Sequence, residues 1–407
     1  MINNAYSGLR VIDISQGIAG PCCGQMLKQM GADIIKIEPI DGDWSRRMGI
    51  GADGLSALAI AYNRGKRSLA LNLKSPDGIR IMHGLVKDAD VFIQNFRPKA
   101  ATTFGTRYEL LLAHNPRLIY ASVSGYGTEG PLAECPVTDS IAQAVSGLAN
   151  YNAGPDGRPR PIKPYIADIA AGIYTSNAIA AALYARERSG EGCQINISLL
   201  AVLAAFQNGM LIEHGWNKAL DSTDRSYTPK SAATVPQGVF DSADGFVMLA
   251  SLNDSMFTAI CDVLGLHALL SDSRLCSAAE RLKYADQINE QIAGVLRQKR
   301  SAEWSALFEG HNVLFSAIND LSDFIVDPKS VMQGLLSEMV LTVAEPGGSA
   351  ISAILPIAQL PGASGAPTSL TAPYIGEHTE EIMTEFGYSG SEIERFVQAG
   401  VIGRRVR

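Results

Sequence analysis

One aspartate has an unusual setting. Asp168 lies in Lys163-Pro164-Tyr165-Ile166-Ala167-Asp168-Ile169-Ala170-Ala171-Gly172, at the mouth of a long Ala-rich helix and among apolar or small neighbours. A carboxylate there has two uses. It can cap the helix, because Asp is favoured at helix starts and the dipole stabilises an anion. It can also be a nucleophile held out of water. The residues alone leave both open. A second cluster, Asn63-Arg64-Gly65-Lys66-Arg67-Ser68, packs three cations around one glycine just before an apolar run. Arg and Lys suit phosphates, Arg as a planar fork and Lys as a point charge. A plain surface charge cluster would use the same letters. In Asn95-Phe96-Arg97-Pro98 an amide and an aromatic follow a strand, which fits an adenine or a turn with a core-facing Phe.

Other chemistries lack their signatures. Gln16-Gly17-Ile18-Ala19-Gly20-Pro21 is not the G-x-G-x-x-G of a nicotinamide site, so an oxidoreductase resting only on the α/β pattern is disfavoured. There is no Walker A motif, no H-E-x-x-H, and Ser124-Gly125-Tyr126-Gly127 lacks the first glycine of a nucleophile elbow. Cys22, Cys23, Cys135, Cys193, Cys261 and Cys276 form no CxxC or CxxH pair, which argues against a structural zinc. Cys22 and Cys23, near a helix start, are activated thiols or core packing. His83, His114, His214, His267 and His311 have no distinguishing context.

The elements that position these residues alternate along the first half. Residues 10–15, 33–38, 68–73, 90–95 and 118–124 read as strands, with helical spacing between them and Ser75-Pro76-Asp77 opening one helix. Pro21 fits the first position of another. Such alternation predicts a mostly parallel sheet covered on both faces, with ligands beyond the C-terminal strand ends. Long helices follow near 170–188 and 199–216. Residues 218–237 are polar and turn-rich, and read as a linker. A hairpin through Asp244-Gly245 and amphipathic helices such as 278–299 then form a smaller unit, and the Pro- and Gly-rich remainder returns to the first. With 407 residues the chain has room for 1–217 plus 331–407 as a large α/β domain and 225–330 as a small α+β domain.

Composition narrows the partners. A formal net charge of -7 disfavours nucleic acid. The charge is uneven, with thirteen Lys/Arg against nine Asp/Glu in residues 1–100, a local basic excess suited to a small anionic ligand. The apolar run 166–185 contains Asp168, Thr175, Ser176 and Asn177, which predicts a buried helix rather than a membrane span. Met1-Ile2-Asn3-Asn4-Ala5-Tyr6 has no signal-peptide pattern, and unpaired cysteines fit a reducing cytoplasm.

Taken in order, these segments resemble the family III CoA-transferases, which include formyl-CoA and carnitine CoA-transferases and the related 2-methylacyl-CoA racemases. The matching stretches are residues 8–13, 31–38, 63–74, 91–98 and 124–127, Ala167-Asp168 with its helix, Asp244-Gly245, and Pro373 to Thr379. The resemblance implies a doubly wound Rossmann-like domain built from both chain ends, a smaller domain, and an interlocked homodimer. It implies acyl-CoA as substrate, with no metal and no nicotinamide. It places the nucleophile at Asp168, through an acyl anhydride and then an aspartyl-CoA thioester. CoA contacts are implied at Gln16, Lys36, Arg64, Lys66, Arg67, Leu73, Asn95, Phe96 and Arg97, with Tyr126 and Gly127 nearer the thioester. Thr138, Asp139 and Asn253 are implied near the acid.

The racemases of the family use a histidine just before an Asp after the Gly-Tyr-Gly turn, for acid–base proton transfer. This chain has Pro136-Val137-Thr138-Asp139 there, and Asn253 where their glutamate falls. Both departures favour transfer over racemisation. A catalytically silent CoA-binding protein is the third alternative. Ala250-Ser251-Leu252-Asn253-Asp254 replaces the glycine-rich loop of formyl-CoA transferases. That disfavours oxalate, while the resemblance of Asn253 and Asp254 to another branch of the family implies dicarboxylic or hydroxy acids, with succinyl-CoA as donor.

Overall fold

A seven-stranded sheet carries the site. In spatial order its strands are Ile402–Gly403, Arg67–Leu71, Asp33–Glu38, Arg10–Asp13, Val91–Gln94, Ile119–Ser124 and Cys193–Ser198. All neighbours run parallel except Ile402–Gly403, which is antiparallel to Arg67–Leu71. Numbered along the chain, the six parallel strands have the order 3-2-1-4-5-6. The winding therefore reverses between Arg10–Asp13 and Val91–Gln94, and a crevice opens outside their C-terminal ends. The computed structural model describes residues 4–154, 156–219, 235–327, 336–344, 350–358 and 371–405.

The central strands are near-continuous apolar runs because both faces are covered. On one face Ile12, Ile35, Leu69 and Phe92 pack against Ile81, Leu85, Ile382 and Phe396. On the other, Val11, Ile34, Val91 and Ile119 meet Leu27 and Ile179. The helix Ala19–Gln29 crosses Ile166–Ser189 closely. Gly172 permits that approach, since a Cβ on it would stand 2.9 Å from both the Cys22 sulfur and the Ala19 carbonyl oxygen. Ile166–Ser189 is long and apolar enough to span a membrane. Here its Ala170, Ala171, Thr175, Ile179 and Ala182 are buried, and Arg186 pairs with Asp90 at 2.8 Å.

Several boundaries differ from expectation. Ala19, not Pro21, opens the first helix, and Pro21 sits in the first turn, where its missing N–H costs no helical bond. The stretch 199–216 divides at Gln207 into Leu199–Phe206 and Asn208–Ala219, and 278–299 divides at Tyr284. The edge strand Cys193–Ser198 was not anticipated. Its alternate residues Gln194 and Asn196 face outward, so its letters look like a connection. Nor were the paired nine-residue strands Leu336–Ala344 and Ala350–Ala358. Ser75 caps its helix as expected, its hydroxyl accepting from Gly78 N–H at 3.1 Å.

The chain divides into two compact units, Met1–Asp221 with Gly334–Arg407, and Ser222–Gln333. The smaller one has a three-stranded antiparallel sheet, ordered Leu314–Ala317, Phe246–Ala250, Gln237–Asp241. Its core gathers Val247, Leu249, Phe257, Ile260, Ile292 and Trp304. Of the expected linker, residues 220–234 lie outside the described residues.

Candidate active site

The crevice between the two central strands is shaped by the loop after Asp13. Asn95 holds it from the neighbouring strand end: its side-chain oxygen accepts from Gln16 N–H at 2.9 Å, and its amide donates to Gln16 C=O at 2.7 Å. Gly17 has φ +82° and donates its N–H to both Asp43 carboxylate oxygens, at 3.0 and 3.1 Å. A Cβ there would overlap the Trp44 ring. Glycine is required by both the dihedral and the contact.

Beneath this loop lies a buried charge cluster. Lys66 donates to Asp13 at 2.8 Å, to Pro21 C=O at 3.0 Å and to the Asn63 side-chain oxygen at 3.0 Å. Lys36 pairs with Asp43 at 3.2 Å and donates to Ser15 C=O. Arg46 forks onto Glu38 with two 2.6 Å bonds and reaches Pro373 C=O at 2.9 Å. Three cations and three anions balance, and hydrogen bonds satisfy their remaining groups, as burial demands. Burial alone would raise the Asp13 carboxyl, but Lys66 and Lys36 outweigh it and hold the group below its ordinary range.

The helix bearing Asp168 is capped by another helix. Its own N-cap, Tyr165, makes no side-chain cap bond. Asp139, first residue of the helix Asp139–Val145, is buried and accepts from Ala167 N–H at 2.7 Å and Asp168 N–H at 3.2 Å through one oxygen. Its other oxygen accepts from the Gln143 amide at 2.5 Å, and Gln143 exchanges bonds with the Ile162 backbone at 3.1 and 2.8 Å. Asp168 is thereby released from capping. Among the described residues its carboxylate has no hydrogen-bond partner. Burial, and then the neighbouring Asp139 charge, push it up to about 7.

Asp168 opens into a cavity of about 640 Å³. Gln16, Asn95, Phe96 and Arg97 line it from the switch point, Ser124 and Gly125 from the next strand end, and Thr138, Asp139 and Tyr165 from the capping region. Gly125 lets Val137 lie against the turn, since a Cβ there would overlap it. Arg97 and Lys163 are exposed cations on the lining.

The structure brings together only part of the set expected from sequence. Lys36 and Lys66 are buried inside the charge cluster and present no ammonium to a ligand. Arg67 is occupied by Asp33, Glu381 and Glu385 at 2.5, 3.1 and 2.6 Å. Leu73 packs on the sheet core. Tyr126 and Gly127 are not on the cavity wall, and Gly127 N–H closes the turn onto Ser124 Oγ at 3.1 Å. Arg64 lines a different cavity. Asn253, in the smaller unit, caps the helix Asp254–Leu264 through Met256 N–H at 2.9 Å. Three of the thirteen cations in residues 1–100, Lys36, Arg46 and Lys66, are buried, and each is paired with a buried carboxylate. Sequence reasoning missed the Asp139 cap and the lining by Trp44, Met48 and Lys163. Nothing local in Thr138-Asp139 says that the carboxylate serves a helix 28 residues away.

A Rossmann-ordered sheet thus sets an unbonded, desolvated carboxylate on the wall of a cavity that Gln16 and Asn95 line from the switch point. The chain belongs to CoA-transferase family III, whose model matches residues 6–379. It is 34% identical to succinate–glutarate CoA-transferase of Agrobacterium fabrum, over 93% of this chain and 95% of that protein. It is also 34% identical to acetyl-CoA:oxalate CoA-transferase of Acetobacter aceti, over 81% and 85%. A solved CAIB/BAIF family protein from Brucella suis superposes with TM-score 0.81 at 28% identity, covering 94% of this chain and all of that one.

Proposed function

We propose that this transferase moves CoA between carboxylic acids through covalent intermediates on Asp168. The observation that supports this most directly is the division of labour at the helix start, where Asp139 caps and Asp168 is left unbonded at the cavity. An Asp168 oxygen attacks the donor thioester carbonyl, the C–S bond breaks, and CoA leaves as thiolate. The thiolate then attacks the aspartyl carbonyl of the mixed anhydride, which releases the donor acid and leaves an aspartyl-CoA thioester. The acceptor carboxylate attacks that thioester to form a second anhydride, and returning thiolate takes the acceptor's acyl group and restores Asp168. The exchange is divided into steps of lower barrier. Apolar neighbours Ile162, Ile166 and Val137 keep water from the anhydride. Gln16, Asn95, Phe96 and Arg97 are the residues we place along CoA.

Thr138 supports transfer over racemisation. It stands on the cavity wall with its hydroxyl 3.2 Å from Ser140 Oγ, and a threonine has no useful basicity near neutral pH. No histidine is on that wall among the described residues. For the acids, one relative named for succinate and glutarate supports dicarboxylates, while another named for oxalate runs against the expectation that oxalate is disfavoured.

Incubation with succinyl-CoA and no acceptor, followed by peptide mapping, tests the mechanism. A CoA-sized, hydroxylamine-labile adduct on the Asp168 peptide is the expected result, and transfer proceeding with no adduct on that peptide would sink it. The reaction also has a predicted pH dependence. The nucleophile must be ionised, so kcat/KM for the donor should climb about tenfold per pH unit below about 7 and level off above it. Asp139→Asn keeps an acceptor for the helix and removes the neighbouring charge, so that limb should move to lower pH. An unmoved limb would show that Asp139 has no electrostatic hold on the nucleophile.

A further inference from the structure

The wall of the Asp168 cavity carries two cations, Arg97 and Lys163, and neither side chain has an acidic or hydrogen-bonding partner among the described residues. Their surroundings differ. Arg97 follows Asn95 and Phe96 beyond the end of Val91–Gln94, among the residues placed along CoA. Lys163 belongs to Arg158-Pro159-Arg160-Pro161-Ile162-Lys163-Pro164, in which every cation precedes a proline. A residue before proline is held to extended backbone, and proline fixes its own φ. Hydrogen bonds restrain the segment further. Arg160 N–H donates to Ala149 C=O at 2.9 Å, and its guanidinium is occupied by both Asp156 oxygens at 3.1 Å. Gln143, which holds Asp139, also exchanges bonds with the Ile162 backbone. Lys163 is therefore an unpaired ammonium on a fixed backbone.

The chain itself limits how far this ammonium stands from the nucleophile. Tyr165 is the N-cap of Ile166–Ser189, so no more than about 7 Å of extended chain separates Lys163 from the start of the helix that bears Asp168. The charges on the wall make a cation useful there. When the acceptor acid arrives, Asp168 is a neutral thioester, and the carboxylate left on the wall is Asp139. Its oxygens are engaged by Ala167, Asp168 and Gln143, and its charge repels a second carboxylate. An ammonium on the same wall offsets that repulsion and raises the local concentration of anions. Holding the acid in place also removes the entropic cost of bringing it to the thioester.

We infer that Lys163 binds the reacting carboxylate of the acceptor acid and holds it beside the aspartyl-CoA thioester for attack. This rests on Asp168 as the covalent nucleophile. The donor acid leaves by the reverse of the same step, so the same ammonium receives it. Every acid carries this carboxylate, and the role is independent of what else the acid bears.

The test is equilibrium binding to the full-length Asp168→Asn variant saturated with CoA, in which an uncharged side chain stands in for the thioester and no turnover intervenes. Propionate is compared with propionamide, of the same shape without the charge, by saturation-transfer NMR. Propionate should bind more tightly. Adding Lys163→Met should weaken propionate by on the order of tenfold, the scale of a lost charge-assisted bond. The dissociation constants of propionamide and of CoA should stay unchanged, and Lys163→Arg should retain most of the propionate affinity. Adding Arg97→Met instead should weaken CoA and leave propionate unmoved. Equal binding of the two probes would overturn the inference. So would a Lys163→Met variant that lost CoA affinity or changed nothing, or an equal loss of propionate on Arg97→Met. If Lys163→Met does not fold, Lys163→Gln replaces it with the same expected loss. Because the readout is binding, it is independent of the adduct. An Asp168 adduct in the active protein with Lys163 inert would refute this assignment alone, and propionate held by Lys163 with no adduct would refute the covalent mechanism alone.

Discussion

Asp168→Ala is expected to lower kcat by at least about 10⁴-fold, the scale seen when a covalent nucleophile is removed, while CoA binds with unchanged affinity. The loss is large because no other carboxylate on the wall is free to take over among the described residues. Asp139, the nearest, has both oxygens engaged by Ala167, Asp168 and Gln143. Stability supplies a control with a definite sign. The native-state carboxyl is raised from its ordinary value to about 7, so the folded protein binds its proton more tightly than the unfolded chain. Stability therefore falls as pH rises from the ordinary aspartate range to about 7, and above that the native state carries the full cost of the desolvated charge. At pH 8 the alanine variant should melt no lower than the parent. An inactive variant that melted much lower would mean that Asp168 is structural. One that kept near-normal turnover would remove it from the chemistry.

Lys66→Met is expected to destabilise the protein by about 3–5 kcal/mol, the cost of leaving one partner of a buried ion pair uncompensated. Both side chains of the Lys66–Asp13 pair are wholly inaccessible. Removing the ammonium strands the Asp13 carboxylate and also leaves Pro21 C=O and the Asn63 side-chain oxygen without their donor. Urea unfolding reads this directly. The double variant Asp13→Leu/Lys66→Met should recover much of the loss, because an apolar pair leaves no stranded charge. A phosphate-binding Lys66 would behave otherwise: CoA affinity would drop while the unfolding midpoint stayed near the parent's.

The contrast between those outcomes shows where the sequence was legible. Periodicity located five of the parallel strands to within two residues, because a strand covered on both faces must be written in Val, Ile, Leu and Phe. Cys193–Ser198 escaped because one of its faces is exposed. Asp168 was visible as a carboxylate among apolar letters, yet the choice between cap and nucleophile was not, because it depends on where Asp139 arrives in space. The cluster 63–68 misled for a related reason. Its letters give charge but not partners, and Asp13, Asp33 and Glu381, which neutralise Lys66 and Arg67, come from distant elements. Arg64, adjacent in sequence to these, is the one of the three without an acidic partner among the described residues. Cation identity is local information, whereas cation availability is a property of the fold.

The borrowed cap bears on how such a site can be inherited or transplanted. A helix that supplies its own cap carries its geometry wherever it goes. Ile166–Ser189 does not, since the acceptor for its first amides is Asp139 on another helix, braced by Gln143 against Ile162. Grafted alone into a new scaffold, the helix would bring Asp168 but neither its aim nor the neighbouring charge that raises its pKa. The smallest portable module is the helix pair with its brace, and drift at Asp139 or Gln143 should be answered at the other positions of that module.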